Sequence, residues 1–292
     1  VSMQVDTGDA VIAGHSLGAL ALDVAHEGDT VKVTLDGKAV AGQVNVPTQE
    51  IGKRGITLRM DRLYWPGDSN EPDEAGAGKV AVAPAVIPPL HVWVKDLRLG
   101  QARLGDVRFE SVPMADGMRV EQFEAQSDDL KISARGRWRG SAAVNHSRFS
   151  MDISAGDMGR MLAAFGYPKL VAGGTTLAHI DGSWPGAPTD FDLATLDGNL
   201  KVHASDGRIL EVEPGMGRLF GLFSIRELPR RLSLDFGDIF SSGYSFNTID
   251  GQFRFDNGNA WTDDLEMRGP SADIRITGRT GVRQHDYDQQ IV

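Results

Sequence analysis

The chain has 292 residues, of which 41% are hydrophobic and 24% are charged, and its formal net charge is -10. This composition supplies enough apolar material for a folded core and argues against a wholly disordered chain. The acidic balance argues against nucleic acid as a partner, and the lack of cysteine excludes disulfides, thiolate catalysis and cysteine-based zinc sites.

A serine motif lies near the start of the chain. Gly14-His15-Ser16-Leu17-Gly18 matches the G-x-S-x-G nucleophile elbow of α/β-hydrolases, in which a sharp strand-to-helix turn exposes the serine. The motif comes too early for the strands that precede such an elbow, and residues 19–24 alternate like a strand rather than a helix. We interpret the motif as a turn, and a serine hydrolase that uses Ser16 is the remote alternative.

Alternation of apolar and polar residues recurs from end to end of the chain, for example in residues 90–95, 130–135 and 273–277. This period predicts antiparallel strands with one apolar face and one solvated face. Turn signals separate the runs at Asp36-Gly37, Asp116-Gly117, Asp197-Gly198, Asp206-Gly207 and Asp256-Asn257-Gly258. The predicted fold class is mostly β.

An internal repeat relates residues 14–22 to residues 100–109. Each copy has a glycine, a short polar turn, a Leu-Gly pair and an alternating strand. Repeated strand units of this kind bury one face only by stacking, so the repeat predicts an extended sheet rather than a compact globule.

Three segments interrupt the β pattern. Residues 65–89 are rich in proline, glycine, alanine and acid, which predicts a flexible surface loop. Residues 157–168 predict a short helix with Asp157 as the N-cap, since Pro168 cannot continue it. Residues 213–240 predict helical structure that Pro229 interrupts, because the apolar residues Met216, Leu219, Phe220 and Phe223 recur at helical spacing.

Metal and cofactor sites are not predicted. The seven histidines are scattered without H-x-x-x-H or H-E-x-x-H spacing, and the acidic pairs lack the spacing of a calcium loop.

The last third of the sequence resembles the C-terminal region of the AsmA-like family of bacterial envelope proteins, especially its long YhdP branch. The segments that carry the resemblance are Asp206-Gly207-Arg208-Ile209-Leu210, Gly217-Arg218-Leu219-Phe220-Gly221-Leu222-Phe223-Ser224, Leu228-Pro229-Arg230-Arg231-Leu232-Ser233-Leu234-Asp235-Phe236, Ile249-Asp250-Gly251, Asn257-Gly258, Leu265, Gly269-Pro270-Ser271-Ala272 and Ile274-Arg275-Ile276-Thr277-Gly278. The resemblance implies an elongated, curved antiparallel sheet that forms an open apolar groove. It also implies phospholipid traffic between the inner and outer membranes, with no catalytic residues.

The expected organisation follows from the pattern and the resemblance together. Residues 1–64 form one β-repeat unit, 65–89 the loop, 90–156 a second β-repeat unit, 157–168 a short helix, and 169–292 a C-terminal β-groove region that contains the helical segment 213–240. We expect one continuous architecture that is a fragment of a larger periplasmic protein, anchored to the inner membrane by a segment outside this chain. No stretch is long and apolar enough for a membrane-spanning helix.

The expected ligands are phospholipids, whose acyl chains the apolar sheet face shelters. Membrane surfaces and envelope proteins are the other partners that the resemblance implies. The predicted groove residues are Leu20, Leu22, Val92, Val94, Val107, Phe109, Leu130, Ile132, Phe253, Phe255, Ile274 and Ile276. Met216, Leu219, Phe220 and Phe223 are predicted to cap the groove or to face a membrane. The same sheet residues would also fill a closed core, so a structural or interaction module is the main alternative.

Overall fold

The computed structural model describes residues 2–12, 15–66, 82–165, 168–210, 243–284 and 286–292. The strands are β1 (Ser2–Thr7), β2 (Val11–Ile12), β3 (His15–Ser16), β4 (Leu20–Glu27), β5 (Thr30–Gly37), β6 (Val40–Pro47), β7 (Ile56–Trp65), β8 (Leu90–Leu99), β9 (Ala102–Met114), β10 (Gly117–Gln126), β11 (Leu130–Gly140), β12 (Asn145–Ala155), β13 (Val171–Pro185), β14 (Asp197–Ile209), β15 (Tyr244–Asp256), β16 (Asn259–Arg268), β17 (Asp273–Gly281) and β18 (Asp286–Ile291). The helices within these described residues are α1 (Ile51–Arg54) and α2 (Met158–Ala164), with 3-10 turns at Pro84–Val86 and Pro188–Asp190.

Sixteen of the described strands form one open sheet in the order β1, β4 and then β5 to β18 in sequence, while β2 and β3 pair separately. The predicted mostly-β, antiparallel architecture is therefore confirmed. Most neighbouring strands are joined by short hairpin loops, which antiparallel pairing allows. The chain divides into two compact units, residues 1–147 and residues 148–292, and each is described separately below.

Strands β7 and β8 depart from the antiparallel pattern, because they pair in parallel, with Leu58 opposite Val92 and Met60 opposite Val94. Parallel neighbours need a crossover connection from one end of the sheet to the other. The segment interpreted from sequence as a surface loop at residues 65–89 includes that connection. The predicted domain boundaries at residues 64, 89, 156 and 168 stay predictions.

Two of the predicted glycine turns differ in the structure. Asn257 and Gly258 have φ of 51° and 77° between β15 and β16, which is the positive φ at both central positions that a type I′ hairpin turn requires. This turn is confirmed. Asp206-Gly207 instead lies inside β14, where Asp206 has φ of 56°, so its assignment as a hairpin turn is wrong.

The structure gives the two copies of the sequence repeat similar local geometry. Leu17 and Leu104 are both 4% exposed, and the glycines that follow them, Gly18 and Gly105, have φ of 74° and 71°. The left-handed conformation at these glycines explains why each copy has a Leu-Gly pair.

The helix predicted at residues 157–168 forms at Met158–Ala164, and the Asp157 side chain accepts a hydrogen bond from the backbone N–H of Arg160 (2.8 Å). Helix α1 was not predicted. The segment 213–240, with Met216, Leu219, Phe220 and Phe223, lies outside the described residues, so its predicted helices stay predictions.

Candidate functional site

Strand pairing in residues 1–147 places apolar side chains in register across eight strands, β4 to β11. One line of paired residues runs perpendicular to the strands, and we call it the apolar row. Its members are Val24, Val33, Val44, Leu58, Val92, Phe109, Phe123 and Ala134. Because cross-strand partners point to the same side of a sheet, all eight side chains share one face.

The apolar row is partly exposed along its whole length, since each of its eight residues is neither buried nor fully exposed. The neighbouring line of cross-strand partners on the same face differs in exposure, because its members are all buried: Met60, Val94, Val107, Ala125 and Ile132. A line of partly exposed apolar side chains next to a buried line forms an apolar strip that a ligand can contact without unfolding the sheet.

The opposite face of the same strands is polar. Gln43, Arg59, Trp93, Arg108 and Glu124 follow one another in register there. The Arg59 guanidinium lies 5.3 Å from the centre of the Trp93 ring, and Lys95 Nζ lies 2.7 Å from Asp61 Oδ1. The hydrogen bond from the Lys95 ammonium lowers the pKa of the Asp61 carboxyl below its usual value. The sheet therefore has one apolar face and one charged face.

In residues 148–292 the apolar face is more deeply buried. Leu265 and Met267 are 1% exposed and pair across the sheet with Ile276 and Ile274. The polar face carries His179, whose ring nitrogens lie 2.6 Å from Asp152 and 2.9 Å from Asp181. Hydrogen bonds to the carboxylates of Asp152 and then Asp181 raise the pKa of His179 above its usual value.

The predicted groove residues all lie on apolar sheet faces. The members in residues 1–147 share one face through the register of β4 to β11: Leu20, Leu22, Val92, Val94, Val107, Phe109, Leu130 and Ile132. Phe253, Phe255, Ile274 and Ile276 are all buried on the apolar face of the second unit. Their contact with lipid stays a prediction.

Sequence reasoning missed six of the eight residues of the apolar row: Val24, Val33, Val44, Leu58, Phe123 and Ala134 were not among the candidates. The signal was present in residues 31–35 and 56–60, which alternate as clearly as the segments that were chosen. What the sequence did not contain was the pairing that aligns these short runs with Val92 and Phe109.

The serine motif is a structural turn. The hydroxyl of Ser16 donates to the Asp9 carboxylate, and the backbone N–H of Gly18 also donates to Asp9 Oδ1 (3.2 Å). The ring of His15 packs edge-on against Trp65 at 5.1 Å between centroids. A strand, β4, follows the motif rather than the helix of a nucleophile elbow, so the hydrolase alternative is not favoured.

The part of the chain that the structure describes contains no group of three or more histidine, aspartate or glutamate side chains placed to hold a metal ion. In the same residues, no helix is long and apolar enough to cross a membrane.

The amino-acid sequence also matches known proteins. A family model described as YhdP protein matches residues 1–292. The chain is also 26% identical, over 163 residues, to the intermembrane phospholipid transporter YhdP of Escherichia coli (strain K12); the match covers 56% of this chain and 13% of that protein. No solved structure matches the chain.

Proposed function

The chain belongs to the YhdP protein family, and from that premise we propose that its apolar sheet face shelters phospholipid acyl chains during transport between membranes. The observation that carries this proposal is the apolar row, because it is continuous across eight strands and partly exposed in each of them. A relative named as an intermembrane phospholipid transporter supports the same ligand class.

The energetic requirement explains why a long row is needed. Moving an acyl chain through water costs about 0.8 kcal/mol per CH₂ group, so an apolar surface must accompany the chain along its path. Eight strands have seven gaps of about 4.8 Å, which gives the apolar row a length of about 34 Å. This is close to the roughly 30 Å hydrocarbon thickness of a bilayer, so the row can contact two acyl chains end to end.

An open sheet suits this ligand better than a closed core. Acyl chains would pack on the apolar row, while the phosphate headgroup would remain in water outside the sheet. The charged face, with residues such as Arg59 and Lys95, would keep the other side of the sheet solvated. No residue needs to be catalytic for this function.

The proposed location is the bacterial cell envelope, with this segment in the periplasm and the inner-membrane anchor outside the chain. The proposed partners are phospholipids, together with membrane surfaces and envelope proteins. The buried apolar face of residues 148–292 would suit a second candidate function, an interaction module with a closed core. It does not account for the partial exposure of the apolar row.

Mass spectrometry of an organic extract from the purified, detergent-free chain tests the proposal. We expect phospholipids well above the amount carried by a control protein of similar size and charge, and more after incubation with liposomes. A clean extract in both conditions would refute the lipid-binding proposal and favour the interaction module.

A further inference from the structure

Residues 82–89 cross the apolar face of the sheet before they enter β8. The 3-10 turn Pro84–Val86 contacts β9, β10 and β11 together, and its Pro84 is fully buried, which places the turn against a face of the sheet. On these strands Ser111 and Val120 are buried, whereas Arg119 and Glu121 on the other side are exposed. The segment, which we call the strap, therefore lies on the apolar side.

The strap is apolar in every residue. Its sequence is Val-Ala-Pro-Ala-Val-Ile-Pro-Pro, and the three prolines remove three backbone donors. Among the described residues, its backbone hydrogen bonds are internal, from Val86 to Ala83 and from Ile87 to Pro84, apart from the bond that Pro89 O accepts from the N–H of Ile56 (2.8 Å). The middle of the strap is thus held on the sheet mainly by apolar contact, as an acyl chain would be.

A buried hydroxyl lies at the same level of the sheet. Ser111 pairs with Leu90, the residue directly after the strap, and with Val120 on the other side. It is 1% exposed, and its Oγ has no hydrogen-bond partner among the described residues. A buried hydroxyl without a partner costs free energy, so the present occupant of this surface leaves a polar atom unsatisfied.

We infer that the surface beneath the strap, around Ser111 and Val120, is a binding site for a diacyl phospholipid, and that the strap occupies this site when lipid is absent. The inference rests on the proposed function and adds where on the sheet a lipid binds and what it displaces. The site lies beside Phe109 of the apolar row, two residues and about 7 Å along β9 from Ser111. A lipid here could keep its acyl chains on the row.

The chemistry of the site identifies which part of the lipid it takes. The side chains around the hydroxyl on this face, Leu90, Phe109 and Val120, are all apolar, so a phosphate would be buried there without a counter-charge. An ester carbonyl is neutral and accepts hydrogen bonds, and a serine hydroxyl can donate one. The site therefore suits the ester region at the top of the acyl chains, with the headgroup outside.

A spin label on the strap tests the inference directly, since the chain has no native cysteine. Val86 is 72% exposed and Val144, in the turn between β11 and β12, is 78% exposed, so Val86→Cys and Val144→Cys form a matched pair. Vesicles of phosphatidylethanolamine and phosphatidylglycerol in equal parts should narrow the spectrum of the label at position 86, because the strap leaves the sheet. The label at position 144 should not change.

A second variant measures the competition between strap and lipid. Pro84→Asp weakens the apolar contact of the strap, and we expect at least about threefold more phospholipid bound at subsaturating lipid, because a larger fraction of the chain has an open site. If Pro84→Asp folds and binds no more lipid than the parent chain, the inference is overturned. Where that variant does not fold, the spin-label result decides.

The outcomes separate this inference from the proposed function. If the parent chain binds phospholipid while the label at position 86 stays unchanged, the strap is a fixed part of the fold and only the inference fails. If the parent chain binds no phospholipid, the proposed function fails, and the inference fails with it.

Discussion

A single charge in the middle of the apolar row should separate lipid binding from folding. Val44 lies in β6 between Val33 and Leu58 and is partly exposed, so Val44→Glu places a carboxylate on the row in a position that water can reach. The adjacent Gln43 lies on the opposite, polar face and is exposed. Gln43→Glu therefore adds the same charge to the same strand without touching the row.

The expected magnitude follows from the cost of a charged group against acyl chains. An acidic or basic side chain in hydrocarbon costs about 2.5–3.5 kcal/mol on insertion scales, which corresponds to about 70- to 380-fold weaker lipid binding for Val44→Glu. The loss of a partly buried valine should lower the free energy of unfolding by only about 1 kcal/mol. Gln43→Glu should change neither quantity measurably.

The assay is transfer of a fluorescent phospholipid from liposomes to the purified chain, with thermal unfolding of each variant as the control for folding. Lipid binding by Val44→Glu equal to that of Gln43→Glu, with both variants folded, would refute the assignment of the row. An equal loss in both variants would show that net charge, rather than the face, decides binding.

Four further predictions concern stability and the alternative function. Ser16→Ala should leave lipid binding unchanged; ester hydrolysis that this substitution abolishes would revive the hydrolase alternative. Ser111→Ala should leave the melting temperature of the lipid-free chain unchanged or raise it, because it removes an unpaired hydroxyl; a marked fall would reveal a protein partner for that hydroxyl. Leu265→Ala should lower the free energy of unfolding by about 2–5 kcal/mol in urea denaturation, since the side chain is 1% exposed; a loss below about 1 kcal/mol would contradict its place in the core. The raised pKa of His179 means that its two ion pairs stabilise the fold below the ordinary value of 6.5, and that this stabilisation is lost as the pH rises through the higher folded-state pKa. The urea midpoint should therefore fall less between about pH 5.5 and about pH 8.5 in His179→Gln than in the parent chain, and an identical pH dependence would remove the role of the ion pairs.

Local features of the fold could be predicted from the sequence because they depend on residues close together in the chain. Alternation with a period of two predicted the strands that contain Val92 and Ile132, since successive residues of a strand point to opposite faces. Asn257-Gly258 predicted its turn because both residues adopt positive φ at low cost. Asp157 predicted the start of α2 through the hydrogen bond that its side chain can accept.

The tertiary structure decided everything that depends on which segments are neighbours. Pairing between distant strands aligned Val44 and Leu58 with Val92, and no local pattern specifies such a register. The crossover after β7 made a parallel pair of β7 and β8, and it brought the turn Pro84–Val86 against β9, β10 and β11. The exposure of a side chain also depends on the assembled sheet. Alternation shows that a side chain is on the apolar face, but it does not show whether another segment lies over it. The sequence by itself therefore determined an amphipathic β-sheet, and only long-range pairing and coverage decided which of its apolar residues stay partly exposed.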